Sequence, residues 1–196
     1  MNRYIYILLI VILSSCSNKK KELDLHFLKN YANGIAEFPT DLTDHFPNEI
    51  KAERQLSVSY PSGVYAVGMA NVILSHKVDT LEFKKITQKL RLNNFKAYNP
   101  KDSIFIIVGD SLDYSKKIDG IPIPNFNSYE RDFGINDKYL PDYHKIYVLE
   151  SKSGEYLKKE NLSDGKNLPT KWKNGFSRGI ATNEKENELI YWICAW

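Results

Sequence analysis

The fold class is decided by the sequence Phe-Ser-Arg-Gly-Ile-Ala-Thr at residues 176–182 and the sequence Glu-Leu-Ile-Tyr-Trp-Ile-Cys-Ala at residues 188–195. Both stretches are rich in β-branched and aromatic residues, which favour strands over helices. The polar residues 183–187 between them are typical of a turn. We therefore predict a β-hairpin here, with a mostly antiparallel sheet built around it.

Three further stretches favour strands. Apolar residues alternate over 56–60, a Pro-Ser-Gly turn follows at 61–63, and the run at 64–75 is long and rich in β-branched residues. Alternation over that run places Ala70, Val72 and Leu74 on one face and Ile73 on the other. Residues 145–150 form another predicted strand, and we expect a turn at 151–154.

Residues 80–92 are the best helix candidate. Asp79 is a suitable N-cap, and Glu82 three residues later completes a capping-box pattern. The predicted apolar stripe consists of Leu81, Phe83, Ile86 and Leu90. The opposite, basic face is expected to be solvated.

Strand and helix signals together predict an α+β fold. Residues 103–108 have the continuous apolar character of a buried central strand, so 64–108 would form a βαβ-like unit. Residues 23–31 are compatible with a short helix or an extended arm, 32–50 with a loop containing one helical turn, and 110–144 with a long irregular loop. We expect a single domain, with one main amphipathic helix packed on the sheet.

The amino-terminal residues have the order of a secretory signal. Arg3 precedes an apolar run from Ile5 to Leu13, and Ser14, Ser15 and Cys16 follow. The run is less than half of the roughly twenty residues that a membrane-spanning helix needs. The segment from Leu13 to Cys16 resembles the lipobox of bacterial lipoprotein precursors.

That resemblance implies a lipid anchor. Residues 1–15 would be cleaved, Cys16 would carry the lipid, residues 16–22 would form the anchor and tether, and 23–196 would be the globular domain. Two or three acyl chains hold a protein to a membrane almost permanently. Ser17 and Asn18 follow the cysteine in place of an aspartate that would favour inner-membrane retention, so the resemblance implies the outer membrane. Lys19, Lys20 and Lys21 do not resemble the acidic signal for export to the cell surface, so we expect the periplasmic face. A cleaved signal with an incidental cysteine, or an uncleaved anchor helix, are the alternatives.

Charge and cysteine content exclude some classes. Once Arg3 is removed, 26 basic and 24 acidic residues leave a net charge of +2, which argues against a nucleic-acid partner. Lipidation of Cys16 would leave only Cys194, so no intrachain disulfide is expected. Cys194 lies in an apolar strand-like stretch and is predicted to be a buried, inert thiol.

No pattern for catalysis or metal binding is convincing. Residues 175–179 match Gly-x-Ser-x-Gly, but the strand before, the helix after and the later histidine of a nucleophile elbow are missing. The preferred interpretation is a glycine-rich strand start in which Gly179 allows close packing. Asp41, Asp44 and His45 are close in sequence, as are Asp142 and His144, yet loop carboxylates usually form turns. We expect no metal and no cofactor.

Aromatic residues in the irregular segments are the remaining feature. Exposed tyrosine, tryptophan and arginine suit protein or sugar recognition. The candidate binding surface consists of Tyr129, Arg131, Tyr139, Tyr143 and Trp172. Alternatively, such rings pin the loops onto the sheet.

Three functions are compatible with these observations. A non-catalytic binding or interaction module, with an envelope protein or a glycan as partner, comes first. A small envelope hydrolase acting on glycan or peptide comes second, and a protective or immunity-type lipoprotein third. The lack of a coherent catalytic set favours the first and argues against an enzyme.

Overall fold

A computed structural model describes residues 24–50, 54–60, 68–108, 119–126, 139–162 and 168–196. The predicted signal peptide, Cys16 and the tether lie outside the described residues. So do the predicted turn at 61–63 and the binding-surface candidates Tyr129 and Arg131.

Helices and strands alternate irregularly along the described chain. In chain order they are α1 (24–36), α2 (Thr40–Thr43), β1 (Arg54–Ser59), β2 (Ala70–Lys77), α3 (Thr80–Leu92), β3 (Phe105–Val108), β4 (Ile121–Pro124), β5 (His144–Ser153), β6 (Gly175–Asn183) and β7 (Glu188–Ala195). Short 3-10 helices lie at Lys159–Asn161 and Thr170–Trp172. The main sheet has the order β1-β2-β7-β6-β5 and is antiparallel throughout, which confirms the predicted α+β class.

The predicted hairpin is confirmed as the centre of this sheet. Strands β6 and β7 pair in register from Phe176 opposite Ala195 to Asn183 opposite Glu188. Asn187 closes the turn with φ of 49°, in the left-handed region that asparagine tolerates better than most residues. The carboxyl-end sequence therefore forms the strand pair on which the other three strands assemble.

Helix α3 also forms where it was predicted. The Asp79 carboxylate accepts a hydrogen bond from the Glu82 backbone N–H at 2.9 Å, as the capping pattern indicated. Phe83 and Leu90 are buried, but Leu81 is 79% exposed, so its place in the apolar stripe is wrong. Leu81 precedes Phe83 by two residues, which turns its side chain about 200° around the helix.

The predicted βαβ-like unit is wrong. Strand β3 does not pair with β2 but runs parallel to β4 in a separate two-stranded sheet. All four β3 residues are buried because this small sheet packs against the main one and is covered on its other side. Strand β4 was missed because Pro122 and Pro124 have no backbone N–H, and proline within a strand pattern argues against a strand.

Two strand boundaries also differ from the prediction. The described part of the long run forms a strand from Ala70 to Lys77, two residues beyond the predicted end. Strand β5 continues to Ser153, so the chain turns only at Gly154, whose φ of 140° favours glycine.

The two faces of the main sheet are covered differently. One face, which we call the helical face, packs against α1, α2 and α3, and it carries Val72, Leu74, Ile180, Tyr191 and Ile193. The other, which we call the sealed face, packs largely against β3, β4 and the loops around them, and it carries Ile73, Ala181, Ile190, Trp192 and Cys194. The predicted alternation of Val72, Ile73 and Leu74 between faces is confirmed.

Candidate binding groove

A groove of about 920 Å³ lies on the helical face, between α3 and residues 44–49. Its floor is mainly apolar and is formed by Phe46, Leu90, Leu149, Ile180 and Tyr191. Its rims are mixed: Leu81, Lys85 and Lys89 lie on the α3 side, and Pro47, Asn48 and Glu49 lie on the other. An apolar floor with a few charged groups at the edge is typical of ligand-binding sites, whose volumes are commonly about 300–1,000 Å³.

Arg178 fixes one end of the groove. Its Nε donates to a Glu150 carboxylate oxygen at 3.1 Å, and its Nη1 donates to the Asp41 carbonyl oxygen at 2.7 Å and to the Asp44 carboxylate. The side chain is only 16% exposed, so these contacts are partly shielded from solvent. Arg178 thereby connects β5 and β6 to the segment that forms the groove wall.

The same cluster shifts the titration of Glu150. Its pKa lies below the ordinary value because Lys152 donates a hydrogen bond to it and the charge of Arg178 lies close, against the opposing effect of burial. A carboxylate with a lowered pKa remains ionised at mildly acidic pH. The Arg178–Glu150 ion pair therefore persists well below neutral pH.

His45 fastens the groove wall to β7. Its Nε2 lies 3.0 Å from the carbonyl oxygen of Trp192, and since a carbonyl only accepts, Nε2 must carry the proton. Its ring packs against Phe46 at 4.6 Å and Tyr191 at 6.4 Å between centroids. Burial lowers the pKa of His45 to about 4, so the ring is neutral near pH 7. Because Nδ1 is buried, the ring serves packing and positioning.

A third contact comes from α1. The Tyr31 hydroxyl donates to the Pro47 carbonyl oxygen at 2.9 Å, and burial raises the pKa of this phenol. Tyr31 of α1, Arg178 of β6 and the Trp192 carbonyl group of β7 thus hold residues 44–49 from three different elements. The wall is fixed before any ligand arrives, which reduces the entropy cost of binding.

Charges on the α3 rim are available to a ligand. Lys85 and Lys89 are exposed, line the groove and make no salt bridge with any residue that the structure describes. Lys84, the neighbour of Lys85, is also exposed but does not line the groove. Together with the exposed Leu81, Lys85 and Lys89 give the rim both apolar and cationic groups.

The residues predicted from the loops lie elsewhere. Tyr139 packs partly buried against the sealed-face cluster, and Tyr143 is 52% exposed with its ring 4.6 Å from that of His144. Trp172 is only 6% exposed, and its indole N–H donates to the Gly120 carbonyl oxygen at 3.0 Å. Trp172 therefore pins a loop to the sheet, as the alternative interpretation expected, and none of these three lines the groove.

Sequence reasoning missed the groove residues. Arg178 was considered only within the Gly-x-Ser-x-Gly match, and the lysines of α3 only as a solvated face. The available signal was Leu81, which lies outside the helical period of Phe83 and Leu90 and one turn from Lys85. An exposed leucine beside lysines is the pattern of a recognition surface.

The serine-containing motif is part of a strand. Ser177 is fully buried in β6, paired with Ser151 and Cys194, so it does not stand on a nucleophile elbow. The predicted role of Gly179 is confirmed, because a Cβ there would lie 2.3 Å from the Trp192 ring. Cys194 is fully buried, as predicted, and burial raises the pKa of its thiol.

The acidic residues near histidines have other partners. Asp44 contacts Arg178, while Asp142 is 76% exposed and lies 3.7 Å from the Lys101 ammonium. His144 approaches Glu188 at 3.5 Å. Within the described ranges, no group of three or more histidine, cysteine, aspartate or glutamate side chains is placed to hold a metal ion.

No family model, curated protein or solved structure matches the chain. In the part of the chain that the structure describes, no helix is both long and apolar enough to cross a membrane.

Proposed function

We propose that this chain is a lipid-anchored protein of the cell envelope, on the periplasmic face of the outer membrane, and that its domain is a non-catalytic binding module. The ligand occupies the groove between α3 and residues 44–49. The single observation that carries the binding proposal is this groove, whose wall is fixed by Arg178, His45 and Tyr31 and whose rim presents exposed lysines.

The anchor is supported by the sequence around Cys16. The apolar run is too short to span a bilayer, and the small residues before the cysteine suit cleavage. Intact mass and membrane partition of wild type beside Cys16→Ala test it. We expect lipid mass at residue 16 and membrane retention in wild type only. Equal behaviour of the two proteins would overturn the anchor.

The mixed chemistry of the groove supports a protein or glycan ligand. The apolar floor favours side chains or sugar faces, and Lys85, Lys89 and Glu49 all line the groove, so both signs of charge are present. A protective lipoprotein that neutralises a toxin would be one form of such a module. The hydrolase alternative receives no support from Ser177, which is buried within β6.

Occupancy of the groove is measured by cysteine accessibility. The variants Lys85→Cys and Lys84→Cys place a thiol at adjacent positions of α3, of which only position 85 lines the groove. The native Cys194 is buried, so a bulky maleimide should not reach it. We expect position 85 to react more slowly than position 84 in intact cells and equally fast after purification. Equal rates in both preparations would mean that the groove is empty in the envelope and would contradict the proposal.

A further inference from the structure

We infer that the outward face of α1 lies on the membrane surface that holds the lipid, so that the domain has one fixed orientation. We call this surface the α1 outer face; it consists of Leu25, Leu28, Lys29 and Ala32. The inference rests on the proposed anchor at Cys16 and goes beyond it, since attachment of a lipid to one residue does not by itself orient a domain.

The rotation of α1 about its axis is fixed by its inner side. Phe27, Tyr31 and Ile35 pack against the helical-face core. Gly34 is buried, and a Cβ there would lie 3.0–3.2 Å from methyl groups of Val58 and Val72. The helix therefore sits close against β1 and β2 and cannot turn its outer face inward.

Contacts at the start of α1 secure the same rotation. The Arg54 guanidinium lies 4.5 Å from the centroid of the Phe27 ring, and it also pairs with the Asp24 carboxylate. These contacts join the first turn of α1 to β1. They leave Leu25 and Leu28, which are one turn apart, 70% and 46% exposed.

Chain length places this face near the bilayer. Only seven residues separate Cys16 from Asp24, where the described helix begins. Even fully extended, the eight virtual bonds span at most about 28 Å. The exposed leucines of α3, Leu81 and Leu92, have no such connection to the anchor, although they are 79% and 73% exposed.

Charge complementarity identifies the occupant as an anionic phospholipid surface. Lys29 lies on the α1 outer face, and Lys19, Lys20 and Lys21 lie in the tether. Basic residues beside a lipid anchor are attracted to anionic headgroups, and apolar side chains between them enter the interface. Two leucines are too few to bind a membrane from solution, but a tethered face binds at high effective concentration.

Depth-dependent quenching tests this orientation. The lipidated protein carries an environment-sensitive fluorophore at Leu25→Cys or, as matched control, at Leu92→Cys, in vesicles of phosphatidylethanolamine and phosphatidylglycerol. We expect nitroxide-labelled lipid to quench the fluorophore at position 25 about threefold more than the one at position 92. Equal quenching, with the protein still bound to the vesicles through its lipid, would overturn the orientation while leaving the anchor intact.

A second variant separates orientation from attachment. With the fluorophore at Lys29→Cys, the double change Leu25→Ser and Leu28→Ser should reduce quenching, and the matched change Leu81→Ser and Leu92→Ser should not. All four leucines are exposed, so the fold should be retained. Unchanged quenching in the first pair would contradict the inference. A wild type that carries no lipid and does not float with the vesicles would overturn both the anchor and the orientation.

Discussion

Neighbouring residues of β6 and β7 have opposite environments on the two faces of the main sheet. On the sealed face the Trp192 ring lies against Gly179 and meets Phe126 edge-on, with 5.6 Å between centroids. Ile180 and Tyr191, the sequence neighbours of Gly179 and Trp192, lie on the helical face and form part of the groove floor. Because side chains alternate along a strand, the same two strands supply a closed core and a binding surface.

The layers on the two faces explain this difference. On the sealed face, the indole N–H groups of Trp172 and Trp196 donate to backbone carbonyl oxygens at 3.0 and 2.8 Å, so these two buried donors are satisfied. On the helical face, the helix α3 and the loop at residues 44–49 do not pack against each other along their whole length, and the groove lies between them. The closely packed sealed face keeps the main sheet rigid, so the groove on the helical face has a rigid floor.

The largest expected effect lies on the sealed face. Gly179→Ala should lower the free energy of unfolding by about 3 kcal/mol, because the new Cβ would meet the Trp192 ring at 2.3 Å and the Tyr147 carbonyl oxygen at 2.4 Å. Gly34→Ala is the control, since its Cβ would meet only side-chain methyl groups at 3.0–3.2 Å and alanine favours the helix. Urea unfolding measures both, and similar midpoints would mean that the sealed face is loosely packed.

Acid should weaken the groove wall through His45. Its folded-state pKa of about 4 lies below the ordinary 6.5, so the unfolded chain takes up a proton that the folded one excludes. This stability is therefore complete above about pH 6.5 and is lost as the pH falls towards 4, by about 2–3 kcal/mol at pH 4.5. His45→Gln should flatten that part of the curve of unfolding free energy against pH. A variant with the wild-type slope would show that His45 is not buried as a neutral ring.

Arg178→Met should cost about 1.5 kcal/mol of unfolding free energy. The apolar stem is kept, but the bonds to Asp41, Asp44 and Glu150 are lost. The control Arg91→Met changes an exposed arginine at the end of α3 and should stay within about 0.5 kcal/mol of wild type. Faster hydrogen exchange in residues 44–49 of Arg178→Met alone would confirm that this arginine holds the wall. Equal exchange in both variants would contradict it.

The smallest expected change in stability concerns α3, which forms the groove wall opposite residues 44–49. Asp79→Ala removes the cap of α3 and should cost about 1 kcal/mol. Asp142→Ala, at a carboxylate that is 76% exposed, is the matched control and should remain within about 0.5 kcal/mol of wild type. Thermal unfolding distinguishes them, and an equal loss in both would argue that the Asp79 cap does not stabilise α3.

Local signals predicted the parts of the fold that depend on neighbouring residues. The hairpin, the Asp79 cap and the alternation at Val72 and Ile73 each follow from a short window of sequence. Strand β4 was not predictable in this way, because Pro122 and Pro124 resemble a loop until burial against the main sheet stabilises them. The partner of β3 was equally hidden, since a wholly apolar strand does not reveal which sheet it joins.

The groove was less predictable than the fold. Its lining comes from residues 44–49, from α3, and from Leu149, Arg178 and Tyr191, which are far apart in sequence. Each residue alone has an ordinary explanation as core or solvated surface. Only the tertiary structure shows that Lys85 borders an apolar floor while Lys84 does not.

A photo-crosslinking side chain at position 85 tests the central claim most directly. The lipidated protein in intact cells carries a benzophenone side chain in place of Lys85 or, as matched control, in place of Lys84. After irradiation, we expect a covalent adduct of one defined mass at position 85 and none at position 84. The adduct at position 85 should disappear when the change Ile180→Arg fills the groove floor. Equal adducts at both positions, or none at position 85, would contradict a ligand in the groove.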